Sequence, residues 1–462
     1  MEYGTAAPSP SPGRRTLRDR IGSFRPLVQV VAFLSLFLLC ILNSFIVPIV
    51  PDYLGVNDTE IQIGALLAAN SFVTIFANPI AAFVTDRYGY QIPVVGGLLI
   101  YTAASFVSAF AKQIAANDLT KTYIVLFVTR AIQGVGDAFS VVASLSMVAV
   151  WYTSDDERAN AMGNAFAAAG IGLVVGYPFG GGLLGGTGRN RRRMEMALYN
   201  NRSHISGVGA HCIANGIVAP WGGESARRSG PSMLRLLCDP YVLVCCVSLV
   251  STYSSLAFIE PLLPVWMKGN FEDPVPTTYS VGLILLSLTV AYTIGSLVYG
   301  RLPGERCYWL NALVSQIIVA VCLALLPLVG LAHSHNLYYS IIPLFFLGFF
   351  YAVVDLVVSL LVGEIVEKRY TYTYGGVYAL VSTAFGVGFV ISPICGLTVA
   401  KYVDFNWAAW GLAIFIFATS FVLVFLRNIK GRGEEEGASE AAAVGDPTEK
   451  TKLLSGSAES SA

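Results

Sequence analysis

Two carboxylic acids stand in surroundings that disfavour them. Glu260 sits in AFIEPLLPVWM (257–267) and Asp355 in YAVVDLVVS (351–359), each inside a longer apolar run. An ionisable group at the centre of a bilayer costs about 2.5–3.5 kcal/mol on insertion scales. Low-dielectric surroundings disfavour a carboxylate's charge, so such a group can take up and release a proton or meet a passing cation. An acid of this kind marks a functional site by default; the plainer role is a structural acid paired with a neighbouring donor. Pro261 and Pro264 follow Glu260, and each removes a backbone donor, which would bend the helix around it. A further polar group lies in TRAIQGVGDAFS (129–140), where Arg130, Gln133 and Asp137 share one face at helical spacing. Arg130 and Asp137, two turns apart, could simply satisfy each other's charge as a buried pair.

The elements that must hold these groups follow from composition. Hydrophobic residues make up 55% of the 462 and charged ones 13%, against about 45–50% and 25% in soluble domains. The chain must bury apolar surface against lipid. Apolar runs long enough to cross a bilayer, roughly 20 residues each, fall near 27–50, 61–84, 92–112, 121–151, 159–186, 240–267, 279–302, 306–331, 338–365, 374–400 and 406–427. The net charge of zero leaves no nucleic-acid footprint. Cys40, Cys212, Cys238, Cys245, Cys246, Cys307, Cys322 and Cys395 form no C-x-x-C pair, so neither a zinc site nor a disulfide framework is expected, and no metal or cofactor is implied. The polar, Arg-rich stretch from Met1 to Arg25 is not a removable signal peptide, because no small-residue cleavage site follows the first apolar run.

Basic residues report orientation. Arg14, Arg15, Arg18, Arg20 and Arg25 precede the first run, DRYGY (86–90) follows the second and SDDER (154–158) precedes the fifth. GRLPGER (300–306), EKRY (367–370) and RNIKGR (427–432) fall on the same side if one more crossing is added between 187 and 239; the positive-inside rule makes that side cytosolic. The stretch meant to supply the crossing fits poorly. Only 204–223 is mildly apolar, and it holds His204, His211 and Asn215. As a transmembrane helix it is poor on any hydropathy scale.

The chain also repeats. Gly170, Gly172, Gly176, Pro178 and Gly180 recur, nearly in register, as Gly386, Gly388, Pro393 and Gly396, and VTDRYGY (84–90) and YGRLPGER (299–306) occupy matching loops. Small residues let helices approach closely in lipid, and repeated halves around a midplane site are the layout of many secondary transporters. The expected division is a cytosolic segment 1–25, a helix bundle 26–186, an anomalous region 187–238, a second bundle 239–430 and a disordered cytosolic tail 431–462. The tail is rich in Glu, Ala and Ser without apolar periodicity. Within it EKTKLL (449–454) has the form of an acidic dileucine sorting signal, with Glu449, Leu453 and Leu454 placed to meet an adaptor.

Further stretches carry a resemblance: IVPIVPDYL (46–54), ANPIAAFVTDRYGY (77–90), YTSDDERANAMGNAF (152–166), GYPFGG (176–181), DPYVL (239–243) and YGGVYAL (374–380), beside those around Arg130, Glu260 and Asp355. Together, over about 26–186 and 232–427, they resemble the major facilitator superfamily and, within it, the vesicular monoamine and acetylcholine transporters. The resemblance implies an all-α membrane protein of two six-helix halves, its sixth helix here degraded or misread. It also implies a proton-coupled antiporter that exchanges lumenal protons for a cytosolic cationic amine.

The resemblance assigns roles. Glu260 matches the family's seventh-helix acid in the substrate pathway, and Asp355 the tenth-helix acid of proton coupling. Arg130 and Gln133 resemble the fourth-helix coupling motif, with Asp137 where the close family has a small residue. Asp86 and Arg87 resemble the cytosolic gating motif, in which charge pairs latch the two halves. Tyr292, Tyr378 and Phe385 match aromatic positions lining the cavity; an aromatic face is worth about 0.5–2 kcal/mol to a cation. Trp266, near the end of its helix, reads as an interface anchor.

The departures are as informative. The family's first-helix Asp falls at Leu39 beside Cys40, its second-helix Lys at Asn70, its eleventh-helix Asp at Ser382 and its seventh-helix Asn at Tyr253. The long glycosylated loop after the first helix is missing; only the sequon Asn57-Asp58-Thr59 stands there. The partners expected are a small cationic substrate, protons and membrane lipid, in a vesicle or endolysosomal membrane with both termini cytosolic. A broad drug or polyamine antiporter and a transport-dead scaffold or receptor are the competing readings. An enzyme is not expected: there is no nucleophile–base constellation, and GIGLVVGYPFGGG (170–182) follows no strand, as a nucleotide loop would.

Overall fold

The computed structural model describes residues 17–46, 60–116, 118–184, 233–270, 278–302, 307–331, 337–370 and 374–427. Eleven helices among them are long and apolar enough to cross a membrane, in the places the apolar runs predict. They are α1 (Leu17–Ile46), α2 (Glu60–Tyr88), α3 (Gln91–Ala109), α4 (Leu119–Trp151), α5 (Asp155–Leu184), α6 (Pro240–Asn270), α7 (Thr278–Arg301), α8 (Tyr308–Leu331), α9 (Ile341–Arg369), α10 (Tyr374–Tyr402) and α11 (Phe405–Ser420, continued as a tighter 3₁₀ turn to Arg427). No strand occurs among the described residues. Lipid offers the backbone no partner, so each crossing segment must close its hydrogen bonds internally. Asp118 starts α4 by accepting from the backbone N–H of Thr120 at 2.9 Å and of Lys121 at 3.2 Å, and Asp404 starts α11 by accepting from that of Phe405.

The helices form two groups, α1–α5 and α6–α11. In the first, α1 packs on α5, α2 and α3 on α4; in the second, α6 packs on α10, α7 and α8 on α9. The groups meet where α5 packs on α7 and α2 on α10, and each of the contacts named for one group has its mate in the other. The repeated glycines explain this symmetry. A Cβ on Gly172 would sit 2.7 Å from the carbonyl oxygen of Phe37 on α1, and one on Gly388 would sit 2.8 Å from Cβ of Tyr253 on α6. Only glycine lets α5 and α10 seat so closely on their neighbours. Two residues earlier, Gly170 faces Thr293 of α7 and Gly386 faces Ile75 of α2, across the groups.

The outer faces are apolar. On α2, Phe72, Phe76, Ile80 and Phe83 are all exposed, one stripe at helical spacing facing lipid. In the second group a fully buried Gln316 on α8 accepts from Ser248 (2.6 Å) and donates to Ser251 (2.7 Å) on α6 and to Thr419 (3.1 Å) on α11, which fixes α11 over α6 and α8.

All helix ends that carry Asp86, Arg158, Asp239, Arg301, Arg369 and Tyr374 gather at one face of the bundle through contacts described below. Leu184 ends α5 at the opposite face, whereas Pro240 starts α6 at the charged one, so the two flanks of 185–232 lie on opposite sides. Residues 204–223 themselves, the sequon at Asn57 and the dileucine at Glu449, Leu453 and Leu454 lie outside the described residues. Trp266 differs from its expected place. It is buried within the protein, its ring stacked on Phe405 with centroids 4.8 Å apart, because the start of α11 closes over the end of α6. Helix α6 continues through both Pro261 and Pro264.

Candidate functional site

Asp355 projects from α9 into a box of rings. Its two oxygens accept from different phenols, Tyr253 of α6 at 2.5 Å and Tyr292 of α7 at 2.9 Å. Tyr351, one turn before Asp355 on the same helix, lies 5.9 Å from the Tyr253 ring and 5.7 Å from the Tyr292 ring. Phe385 of α10 meets the Tyr253 ring edge to face at 5.2 Å and stacks on Phe389 at 4.3 Å. The carboxylate is buried and fully hydrogen-bonded by neutral donors, which is how a low-dielectric interior tolerates an acid.

Glu260 lies two turns beyond Tyr253 on the same side of α6, half-buried. It accepts from the hydroxyl of Tyr177 on α5. That bond links the two helix groups. Cys40 of α1 lies within electrostatic reach of Asp137, Glu260 and Asp355, so all three acids lie around it in the interior.

Arg130 is buried on α4. It donates to the side-chain oxygens of Asn43 on α1 (2.9 Å) and Gln133 (3.2 Å), and Gln133 passes the link to Ser105 on α3 at 2.9 Å. The buried pair of Arg130 with Asp137 weighed from sequence does not form as a direct contact: Asn43 and Gln133 take the guanidinium instead. Asp137 stays half-buried in the interior, within the field of Arg130. At the positions where the family's charges are absent, Asn70 and Ser382 are both buried, and Asn78 donates to Thr383 at 2.9 Å where α2 meets α10.

A second cluster closes the charged face. Arg158 at the start of α5 pairs with Glu367 near the end of α9 at 2.5 Å and donates to the hydroxyl of Tyr374 at 3.3 Å; Tyr374 in turn donates to Glu367. Asp86 at the end of α2 accepts from the backbone N–H of Gly375 at 3.1 Å, placing a negative charge at the N-terminus of α10 where the helix dipole favours it. Arg301 of α7 donates to Asn164 of α5 at 3.2 Å. Apart from the Tyr374–Glu367 bond, which lies within the second group, each of these contacts joins the two groups. Within the second group, Arg369 pairs with Asp239 at 2.8 Å, and Tyr370 donates to the same carboxylate at 3.0 Å.

The sequence-expected residues thus divide. Glu260, Asp355, Tyr292 and Phe385 come together in the interior, with Asp137 facing the same region. Tyr378, expected beside Tyr292 and Phe385, is buried two turns earlier on α10, in the field of Arg158 and Glu367. Asp86 joins the charged cluster, whereas Arg87 is exposed and lies over the rings of Phe83 and Tyr88 at 5.6 and 5.8 Å. Tyr177, Tyr351, Arg158 and Glu367 are additions of the structure. The only sequence signal for the last two was charge in a first or last helical turn, SDDER and EKRY.

The family model described as Major Facilitator Superfamily matches residues 32–192 and 243–457. The chain belongs to this superfamily. Within it, the chain groups with the vesicular amine transporters. It is 32% identical over 376 residues to the synaptic vesicular amine transporter of Bos taurus, covering 81% of this chain and 68% of that one. It is 34% identical over 353 residues to the chromaffin granule amine transporter of Rattus norvegicus, covering 76% of this chain and 63% of that one, so it spans less than two thirds of that relative's length. Identity to the vesicular acetylcholine transporter unc-17 of Caenorhabditis elegans is 27% over 423 residues, 89% of this chain and 73% of that one. The human organic anion transporter MFSD10 superimposes with a TM-score of 0.66 over 86% of this chain and 99% of its own, at 14% identity, a likeness of fold.

Proposed function

We propose that the chain is a proton-coupled antiporter of a cationic organic amine, set in a vesicle or endolysosomal membrane with both termini cytosolic. One observation carries the reading: Glu260, bonded to Tyr177 across the two helix groups, and Asp355, bonded to Tyr253 and Tyr292, both lie in the interior within electrostatic reach of Cys40, and among the described residues no lysine or arginine hydrogen-bonds either carboxylate. A phenol stabilises a carboxylate without cancelling its charge. The acid is left free to trade a proton for a cation, as antiport requires. Relatives named for amine and acetylcholine transport support the substrate class.

In this reading the halves 26–186 and 239–430 rock around the interior site. A cation meets the rings of Tyr292 and Phe385 and the charge of Glu260, while Asp355, enclosed by Tyr253, Tyr292 and Tyr351, exchanges protons. Arg130 and Gln133 brace α1, α3 and α4 behind Asp137, a third acid of the pathway. The charged cluster of Asp86, Arg158, Glu367 and Tyr374 forms the cytosolic gate, shut in this conformation, and Tyr378 packs beside it.

The test is uptake of labelled phenethylamine into reconstituted vesicles that are acidic inside. Wild type is expected to accumulate the amine and Glu260→Gln to lose uptake; uptake unchanged by that substitution refutes the role of Glu260. The uncharged Leu39, Asn70 and Ser382 favour a second reading, a less selective exporter of drugs or polyamines, which a panel of competing cations separates from the first.

A further inference from the structure

We infer that Tyr177 is a positioning residue that acts as an internal competitor for Glu260: its hydroxyl occupies the carboxylate when no substrate is present, holds the two helix groups together on the side away from the charged gate, and must be displaced by the arriving ammonium. This deepens, and rests on, the reading of Glu260 as the substrate carboxylate.

The geometry has three parts. First, the bond joins the groups, Tyr177 on α5 donating to Glu260 on α6, and α5 and α6 are not otherwise a closely packed pair. Second, it lies beyond the middle of the membrane from the charged face. Arg158 stands in the first turn of α5, whereas Tyr177 comes 19 residues later in a helix that ends at Leu184, about 29 Å further along at 1.5 Å per residue. The gate and the Tyr177 bond therefore pin the two groups at different depths. Third, the donor is replaceable. A phenol O–H and an ammonium N–H satisfy the same carboxylate oxygen, so the cation can take the tyrosine's place without leaving a buried acceptor unpaired. The other groups facing Glu260 do not substitute for this link. Arg130 of α4 is already bound to Asn43 and Gln133, Asp355 of α9 is held by Tyr253 and Tyr292, and Asp137 of α4 and Cys40 of α1 supply no donor bonded to the carboxylate. Substrate binding and release of the far side then become one event.

Tyr177→Phe keeps the ring and deletes the competitor. Half-saturation for labelled phenethylamine is expected to fall about tenfold, the worth of one hydrogen bond to a charged group, while the maximal exchange rate does not rise. A merely structural tyrosine would give the opposite: weaker binding, or no change. Either of those results overturns the inference. A second measurement does not depend on transport. Spin labels at Leu119 (first residue of α4) and Tyr402 (last of α10), 59% and 80% exposed on the far side of different groups, report the separation directly in the full chain. Longer distances are expected in Tyr177→Phe and in Glu260→Leu, which removes the acceptor, with no further lengthening in the double variant; unchanged distances, or additive ones, sink the link. If wild type neither binds nor moves the amine, the functional reading fails, and the distances alone still decide whether Tyr177 holds the groups together.

Discussion

The two interior carboxylates are held in different ways. Both donors to Asp355, Tyr253 and Tyr292, belong to its own helix group. The donor to Glu260, Tyr177, belongs to the other group. Asp355 can therefore gain or lose a proton without either group moving, whereas any change at Glu260 bears on how the groups stand relative to each other. The proposed division of labour, Asp355 for the proton and Glu260 for the substrate and the opening, rests on that difference. Breaking it gives the largest expected effect. Asp355→Asn should abolish acid-driven accumulation of labelled amine while amine-for-amine exchange persists, since exchange moves no net proton; Glu260→Gln should abolish both. If the two variants lose both activities alike, or exchange dies first at Asp355, the division of labour is wrong.

A second contrast sets the interior against the charged face, where the groups are joined by ions instead of phenols. Removing one partner of a buried ion pair costs about 3–5 kcal/mol. The Glu367 side chain is 25% exposed against 8% for Arg158, so water recovers part of that cost, and Arg158→Ala should weaken closure by about 2 kcal/mol, roughly thirtyfold in population. Labels at Tyr88 and Leu310, exposed at the charged face of different groups, should move apart in Arg158→Ala and return when the charges are exchanged in Arg158→Glu with Glu367→Arg. Failure of the exchange to restore closure would mean that the pair acts through local packing and not as a latch.

How much of this could be read from sequence depends on the physics each feature uses. Spans were legible because length and hydropathy are summed over some 20 residues, and the repeat because Gly170 and Gly172 return as Gly386 and Gly388 where backbones touch. Glu260 and Asp355 were legible because an acid in an apolar run has few innocent explanations. Their partners were not. Tyr177 is 83 residues from Glu260 and Tyr253 is 102 from Asp355, and a tyrosine in a membrane span is too common to single out. Arg130 illustrates the converse error. Spacing along α4 offered Asp137 as its partner, but Asn43 on another helix took that place. Spacing ranks neighbours only within one helix. Tyr378 and Phe385 were expected together, yet seven residues along α10 amount to about 10 Å, enough to carry Tyr378 away from the interior rings toward Arg158 and Glu367 at the charged face. Trp266 looked like an anchor because nothing in its own helix shows that Phe405 covers it.

The smallest effects concern two adjacent residues that sequence treated as one motif. Asp86 accepts from the N–H of Gly375 and so caps α10 from the other group; Arg87 points outward over Phe83 and Tyr88. Losing a capping carboxylate costs about 1 kcal/mol, so Asp86→Ala should lengthen the Tyr88–Leu310 distance modestly, less than Arg158→Ala does. Asn at the same position keeps an acceptor for the N–H and loses the charge that the helix dipole favours, so Asp86→Asn should fall between Ala and wild type. Arg87→Ala removes no contact between the groups and should leave the distance unchanged. Should Arg87→Ala open the face as far as Asp86→Ala, the gate would depend on the positive charge of that loop, and the helix cap would not be what holds α2 to α10.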